Sequence, residues 1–143
     1  MPQSLIKLLQ LAMMTLLLLL ILGAASPAKI IAQESNFVIS TRAGNSLLIQ
    51  SQLKPIVINR LHSWELLLLS ADGHPLTDAE INLVGGMPEH DHGLPTQPQV
   101  TAQSDPGHYL VEGIRFHMPG KWKILFSIES GAGPDSATLE FSL

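Results

Sequence analysis

His90 and His92 stand two residues apart in the segment GMPEHDHGLP, residues 86–95, and His117 is followed directly by Met118 in the segment RFHMPG, residues 115–120. In extended backbone, residues i and i+2 project to the same side. Flanking prolines and glycines stiffen and turn the chain, so the first segment can present two imidazoles together. Neutral imidazole binds copper and zinc, and thioether sulfur moves a mixed donor set toward copper, Cu(I) in particular, and away from calcium or magnesium. The candidate metal ligands are therefore His90, His92 and His117 with Met87 and Met118. They form one site only if their two loops gather at the same end of the fold. The chain has no cysteine, which excludes a disulfide framework, a thiolate zinc site and a cysteine nucleophile.

Each of these residues has a plainer reading beside this one. Met118 shares the parity of Leu110, Ile114 and Phe116, a core-packing position as much as a donor position. His117 lies on the opposite parity, where a histidine is by default exposed or hydrogen-bonded. Glu89 and Asp91 are either partners that orient imidazoles or solvated loop charges. His62, His74 and His108 read as strand-edge or turn residues.

The elements that must position these side chains are strands. Beyond residue 36 the pattern is short β-type runs separated by Gly, Pro, Asp and Asn. Residues 62–70 read as a central strand covered on both faces, with Trp64, Leu66 and Leu68 on one side and Leu67 and Leu69 on the other. Residues 79–83 alternate and stop at Gly85-Gly86; residues 100–103 form a short element. Residues 108–118 run to Pro119-Gly120, which reads as a type II turn returning the chain along Trp122, Ile124, Phe126 and Ile128 as a hairpin partner. Residues 137–141, 36–41, 46–52 and the segment 55–59 complete the set. The expected fold is all-β, an immunoglobulin-like antiparallel β-sandwich of about seven strands, preceded by an N-terminal apolar helix.

That helix is a targeting segment by composition. Lys7 supplies a positive flank to LAMMTLLLLLILGAA, residues 11–25, a length between a signal-peptide core and the roughly 20 residues of a membrane span. A cleaved signal peptide and a retained anchor are both open, with residues 1–32 as that segment and 33–143 as the domain. Either places the domain outside the cytoplasm, in the periplasm or cell envelope. After Ala32, six basic residues face all twelve acidic ones, a net charge of −6. An acidic body without a basic stripe repels phosphate backbones, which excludes nucleic acid as partner. Enzymatic signatures are missing from the sequence as well: there is no Gly-x-Ser-x-Gly elbow, no His-Glu-x-x-His and no phosphate-cradling glycine loop.

The stretch from His62 to Phe141 resembles the YtkA-like and FixH-like group of small exported or membrane-tethered bacterial domains. The resemblance rests on the Ala71-Asp72-Gly73 turn with Pro75 and Ala79, on Met87-Pro88-x-His90-x-His92-Gly93, and on Phe116-His117-Met118-Pro119-Gly120-x-Trp122. It implies an immunoglobulin-like sandwich, copper handling or a part in cytochrome oxidase assembly, and Met87, His90, His92, His117 and Met118 as the matching positions. FixH-like proteins keep a transmembrane helix, which leaves the anchor open. The expected function is an extracytoplasmic metal-binding module without catalytic activity, with a copper ion as its cofactor. The alternative is a structural or partner-binding domain that recognises an envelope or membrane protein through its loops.

Overall fold

The computed structural model describes residues 37–143. The apolar segment, the expected helix and the boundary at residues 32 and 33 lie outside the described residues. Nine strands follow one another: β1 Phe37–Ser40, β2 Ser46–Ser51, β3 His62–Leu69, β4 Glu80–Met87, β5 His92–Gly93, β6 Gln99–Ala102, β7 His108–Ile114, β8 Lys121–Ser130 and β9 Gly133–Ser142. They form a five-stranded sheet in the order β1-β2-β3-β7-β6 and a four-stranded sheet in the order β5-β4-β8-β9. Every pairing is antiparallel. The described residues contain no helix, and so none long and apolar enough to cross a membrane.

The core lies between the sheets because the inward residues of each strand are large and apolar. Strand β8 alternates without interruption, burying Trp122, Ile124, Phe126 and Ile128 while the residues between them stay exposed. Facing them across the sandwich are Leu47 and Ile49 of β2, Trp64, Leu66 and Leu68 of β3, and Tyr109 and Val111 of β7. Each such side chain taken fully out of water contributes about 1.5–3 kcal/mol. Strand β3 is central in its sheet and buries Leu67 and Leu69 as well, the continuous apolar run that the sequence shows.

Three expectations are corrected. Segment 108–118 and the strand after it are not a hairpin: β7 pairs with β3 and β6, whereas β8 pairs with β4 and β9. Residues 115–120 therefore carry the chain from one sheet to the other. The Pro119-Gly120 pair is a bend in that crossing, and Gly120 exchanges two backbone hydrogen bonds with Leu143 instead of closing a two-residue turn.

Second, the parity assigned to β7 was reversed in its first half. Tyr109 and Val111 are buried there, along with Ile114 and Phe116 further on. The register between His62↔Ile114 and Trp64↔Val111 shifts by one residue, a bulge at which Gly113 adopts a φ of 84°. One inserted residue switches the face to which all following side chains point. Third, residues 55–59 form no strand. Asn59 takes the left-handed conformation, at φ 63°, and its N–H donates to the Phe116 carbonyl at 2.7 Å. In place of that segment the structure adds β5, two residues long and invisible as a periodic pattern.

Candidate metal centre

The 86–95 segment is a hairpin. Met87 of β4 pairs with His92 of β5, Gly86 pairs with Gly93, and His90 N–H donates to the Met87 carbonyl at 3.0 Å. Residues 88–91 are thus a four-residue turn, with Asp91 left-handed at φ 51°, a conformation that aspartate tolerates better than most residues. The backbone between the two histidines is therefore not extended, as the i, i+2 argument assumed. Their rings nevertheless lie side by side, with centroids 6.4 Å apart and planes inclined by 17°. The two glycines preceding Met87 make room for this return. A Cβ on Gly85 would lie 2.5 Å from the Ile124 side chain and 2.9 Å from that of Leu94, and one on Gly86 would lie 2.9 Å from the His92 carbonyl oxygen.

The second loop comes to the same end of the sandwich. Strand β4 ends there, β8 begins there, and the crossing segment 115–120 runs over the gap. Phe116 is buried in the core, against Trp122 at 5.0 Å and Phe141 at 5.3 Å, which leaves its neighbour His117 half-buried at the rim. The His117 ring stands 5.9 Å from that of His92 with planes at 70°, and 5.6 Å from Trp122. Residues 25 positions apart in sequence are thus edge-to-face neighbours. Its Nδ1 is shut off from solvent and has no hydrogen-bond partner. A buried nitrogen left in that state is costly, and a bound ion would satisfy it, so the residues present fit a metal ligand set.

The candidate donors differ in exposure. His90 and His92 are exposed, whereas Met87 is 2 % exposed and belongs to the core. The Met87 tip packs where Gly120 has no side chain, 2.9 Å from the place a Cβ would occupy. Met118 packs against the core, as its parity predicts, and its carbonyl accepts the Trp122 Nε1–H at 3.1 Å. Glu89 forms an exposed ion pair with Lys121 at 3.4 Å, a solvated contact across the mouth of the hairpin. Among the described residues, no three His, Asp or Glu side chains are set at ion-holding distance. Two imidazoles sharing one ion, each nitrogen about 2.0–2.1 Å from it, have ring centres about 5 Å apart. The observed 5.9 Å between His92 and His117 is wider than that.

His62, which the sequence placed among strand-edge residues, is a buried neighbour at this end. It is 8 % exposed, and its ring lies 5.7 Å from that of Phe116. Its Nδ1–H donates to the Arg60 carbonyl at 3.0 Å. Burial pushes its pKa below the ordinary 6.5, and the Arg60 carbonyl opposes that in part. No spacing in the sequence distinguishes this histidine. What buries it is the crossing segment, whose Phe116 lies across it.

An all-antiparallel two-sheet sandwich carrying a histidine-rich hairpin beside a His-Met crossing segment defines a class of small β domain. Residues 44–126, more than half of the chain, match the family model for YtkA-like domains, and the chain belongs to that family. The match runs from the turn before β2 into β8 and includes both histidine-bearing loops. No curated protein matches the chain. Among solved structures, the ZirS C-terminal domain is similar with a TM-score of 0.45 and 13 % identity, over 67 % of this chain and 64 % of that one.

Proposed function

We propose that this protein is an extracytoplasmic metal-binding module, exported or tethered by residues 1–32, which handles copper or assists cytochrome oxidase assembly and performs no catalysis of its own. In this reading the sandwich is of the immunoglobulin-like kind and serves as a rigid mount for the loops at one end. The observation that carries it is the approach of His92 to His117, at 5.9 Å, from two different connections, with His90 beside them. Imidazoles gathered at an exposed rim, with Met87 paired across the strands from His92, suit copper better than any hard cation.

The test is a copper titration of the full chain in mild detergent, in both oxidation states and against a competing chelator. Tight one-to-one binding is expected, lost in the His90→Ala/His92→Ala double variant while the far-ultraviolet circular dichroism stays that of a β protein. Unchanged affinity in the double variant overturns the reading.

A second reading has its own observation. On the outer face of the four-stranded sheet, Val84 and Leu125 are cross-strand neighbours, 66 % and 40 % exposed. They line a groove of about 410 Å³ that reaches Pro88 and His92. Paired exposed apolar side chains beside a functional loop favour contact with an envelope or membrane protein. Under this reading metal titrations are flat, and a Val84→Ser/Leu125→Ser variant loses capture of a partner from membrane extract.

A further inference from the structure

Resting on the tethered form of the proposed function, and not on metal binding, we infer that the connection between β2 and β3, residues 52–61, docks on an anionic lipid surface. Val57 and Leu61 enter the bilayer interface, and Arg60 meets the lipid phosphates. The segment reads QLKPIVINRL, with two basic residues and no carboxylate, on a body that carries a net charge of −6 beyond Ala32. Apolar side chains beside basic ones are the combination that lays a folded domain on a bilayer.

The backbone holds the two apolar side chains outward. Ile56 packs against the core, whereas Val57 is 44 % exposed and Leu61 65 % exposed. The Arg60 N–H donates to the Val57 carbonyl at 3.3 Å, a turn with Val57 at its start and Leu61 just past its end. Within it the Asn59 N–H is held by the Phe116 carbonyl at 2.7 Å, and the Arg60 carbonyl accepts the His62 Nδ1–H at 3.0 Å. At the entry to the segment, the Ser51 hydroxyl donates to the Leu53 carbonyl at 2.8 Å. A loop tied at its start, middle and end does not fold these side chains back onto the sandwich. Single exposed apolar residues are ordinary on a protein surface. Two on one pinned turn, with an arginine beside them, form a patch.

The place of the loop says what covers it. Phe37 pairs with Ile49, and Ser51 pairs with Trp64, so the chain enters the sandwich at the end that carries this loop. The apolar run of residues 11–25 stops twelve positions before Phe37, a reach of at most about 40 Å in extended chain. A tether that short makes docking intramolecular, so a weak contact suffices. The charges agree with this direction. Arg42 lies at the far end, while Lys54, Arg60, Arg115, Lys121 and Lys123 lie in the half that carries the loop. Lys121 and Lys123 are answered by Glu89 and Glu140, and Asp91 and Glu112 also lie in this half, so the positive feature is the loop itself. Asp72, Asp78, Asp105 and Asp135 stand at the opposite end, which an anionic surface repels.

The experiment uses the full chain in metal-free buffer, reconstituted in phosphatidylcholine vesicles with and without phosphatidylglycerol. The chain has no cysteine, so Val57→Cys, Leu61→Cys and Asp72→Cys each take one fluorophore at an exposed position, where substitution leaves the fold intact. Nitroxide-labelled lipid is expected to quench the labels at 57 and 61 and not the label at 72. The quenching is expected to be stronger with phosphatidylglycerol and weaker at high salt. Adding Arg60→Gln to the Leu61→Cys chain is expected to lower the ratio of docked to free domain about fivefold, the worth of one arginine near an anionic surface. Labels at 57 and 61 as open to water as that at 72, in a chain that floats with the vesicles, overturn the docking and leave the tether standing. Labels shielded from water but untouched by the lipid quencher place a second copy of the chain on the loop and overturn the docking as well. Equal quenching with and without phosphatidylglycerol overturns the assignment to anionic lipid. A chain that does not float with the vesicles overturns both docking and tether.

Discussion

Tyr109 shows what single residues do in this fold. Its hydroxyl donates to the Leu76 carbonyl at 2.7 Å and accepts the Ala79 N–H at 3.1 Å, pinning the connection between the sheets from inside the core. Burial raises its pKa above the ordinary 10.0, so it stays protonated and able to donate. A Tyr109→Phe variant leaves two backbone groups without their partner, and a loss of about 1–3 kcal/mol is expected, read as a lower urea midpoint at constant slope. An unshifted midpoint would show that water replaces the hydroxyl. The role was not legible in the sequence, where Tyr109 falls on the parity opposite to Phe116. By contrast His90, His92, His117 and Met87 stand out as candidate donors from residue type and spacing alone. The approach of His92 to His117 was not legible, because it depends on which strands share a sheet.

At the level of elements, two glycines carry information that periodicity cannot supply. Gly113, at φ 84°, forms the bulge that turns Ile114 and Phe116 inward and so leaves His117 at the rim. A Cβ there would meet nothing closer than Pro98 Cα at 3.8 Å, so Gly113→Ala costs only the left-handed conformation, about 1–2 kcal/mol. Gly120, at φ 126°, is both in a region closed to other residues and against the Met87 tip at 2.9 Å. Gly120→Ala is therefore expected to destabilise more than Gly113→Ala in parallel denaturant titrations. Equal losses would show that Met87 yields at no cost. Strands with alternation or a long apolar run, such as β8 and β3, were legible because pleat and burial impose a period. The two-residue β5 was not, since its place is set by Gly85 and Gly86 admitting it against β4.

The described residues form two sheets, and one corner ties them with polar groups. The turn between β1 and β2 belongs to the five-stranded sheet, yet Arg42 N–H donates to the Ser136 carbonyl of β9 at 2.7 Å. Beside it the Asp135 carboxylate accepts the Thr41 hydroxyl, the Ala43 N–H at 2.8 Å and the Asn45 side-chain amide at 2.9 Å, besides the N–H of Ser136 at 2.8 Å. Burial alone raises the Asp135 pKa, but these hydrogen bonds to the charged form outweigh it and hold the group below the ordinary 3.8. The folded state therefore binds that proton less readily than the unfolded chain does. The stabilisation is complete above the unfolded value and is lost as pH falls from about 4 through the lower folded value. Asp135→Asn keeps the shape but removes the charge that three donors from the opposite sheet and Ser136 converge on. The variant is expected to be less stable than wild type at neutral pH, with the gap narrowing as pH drops below about 4. Urea titrations of both proteins at pH 7 and pH 3 check this. A gap that stays constant with pH would mean that the carboxylate holds the corner by shape and hydrogen bonding alone, and that its charge contributes nothing to joining the sheets.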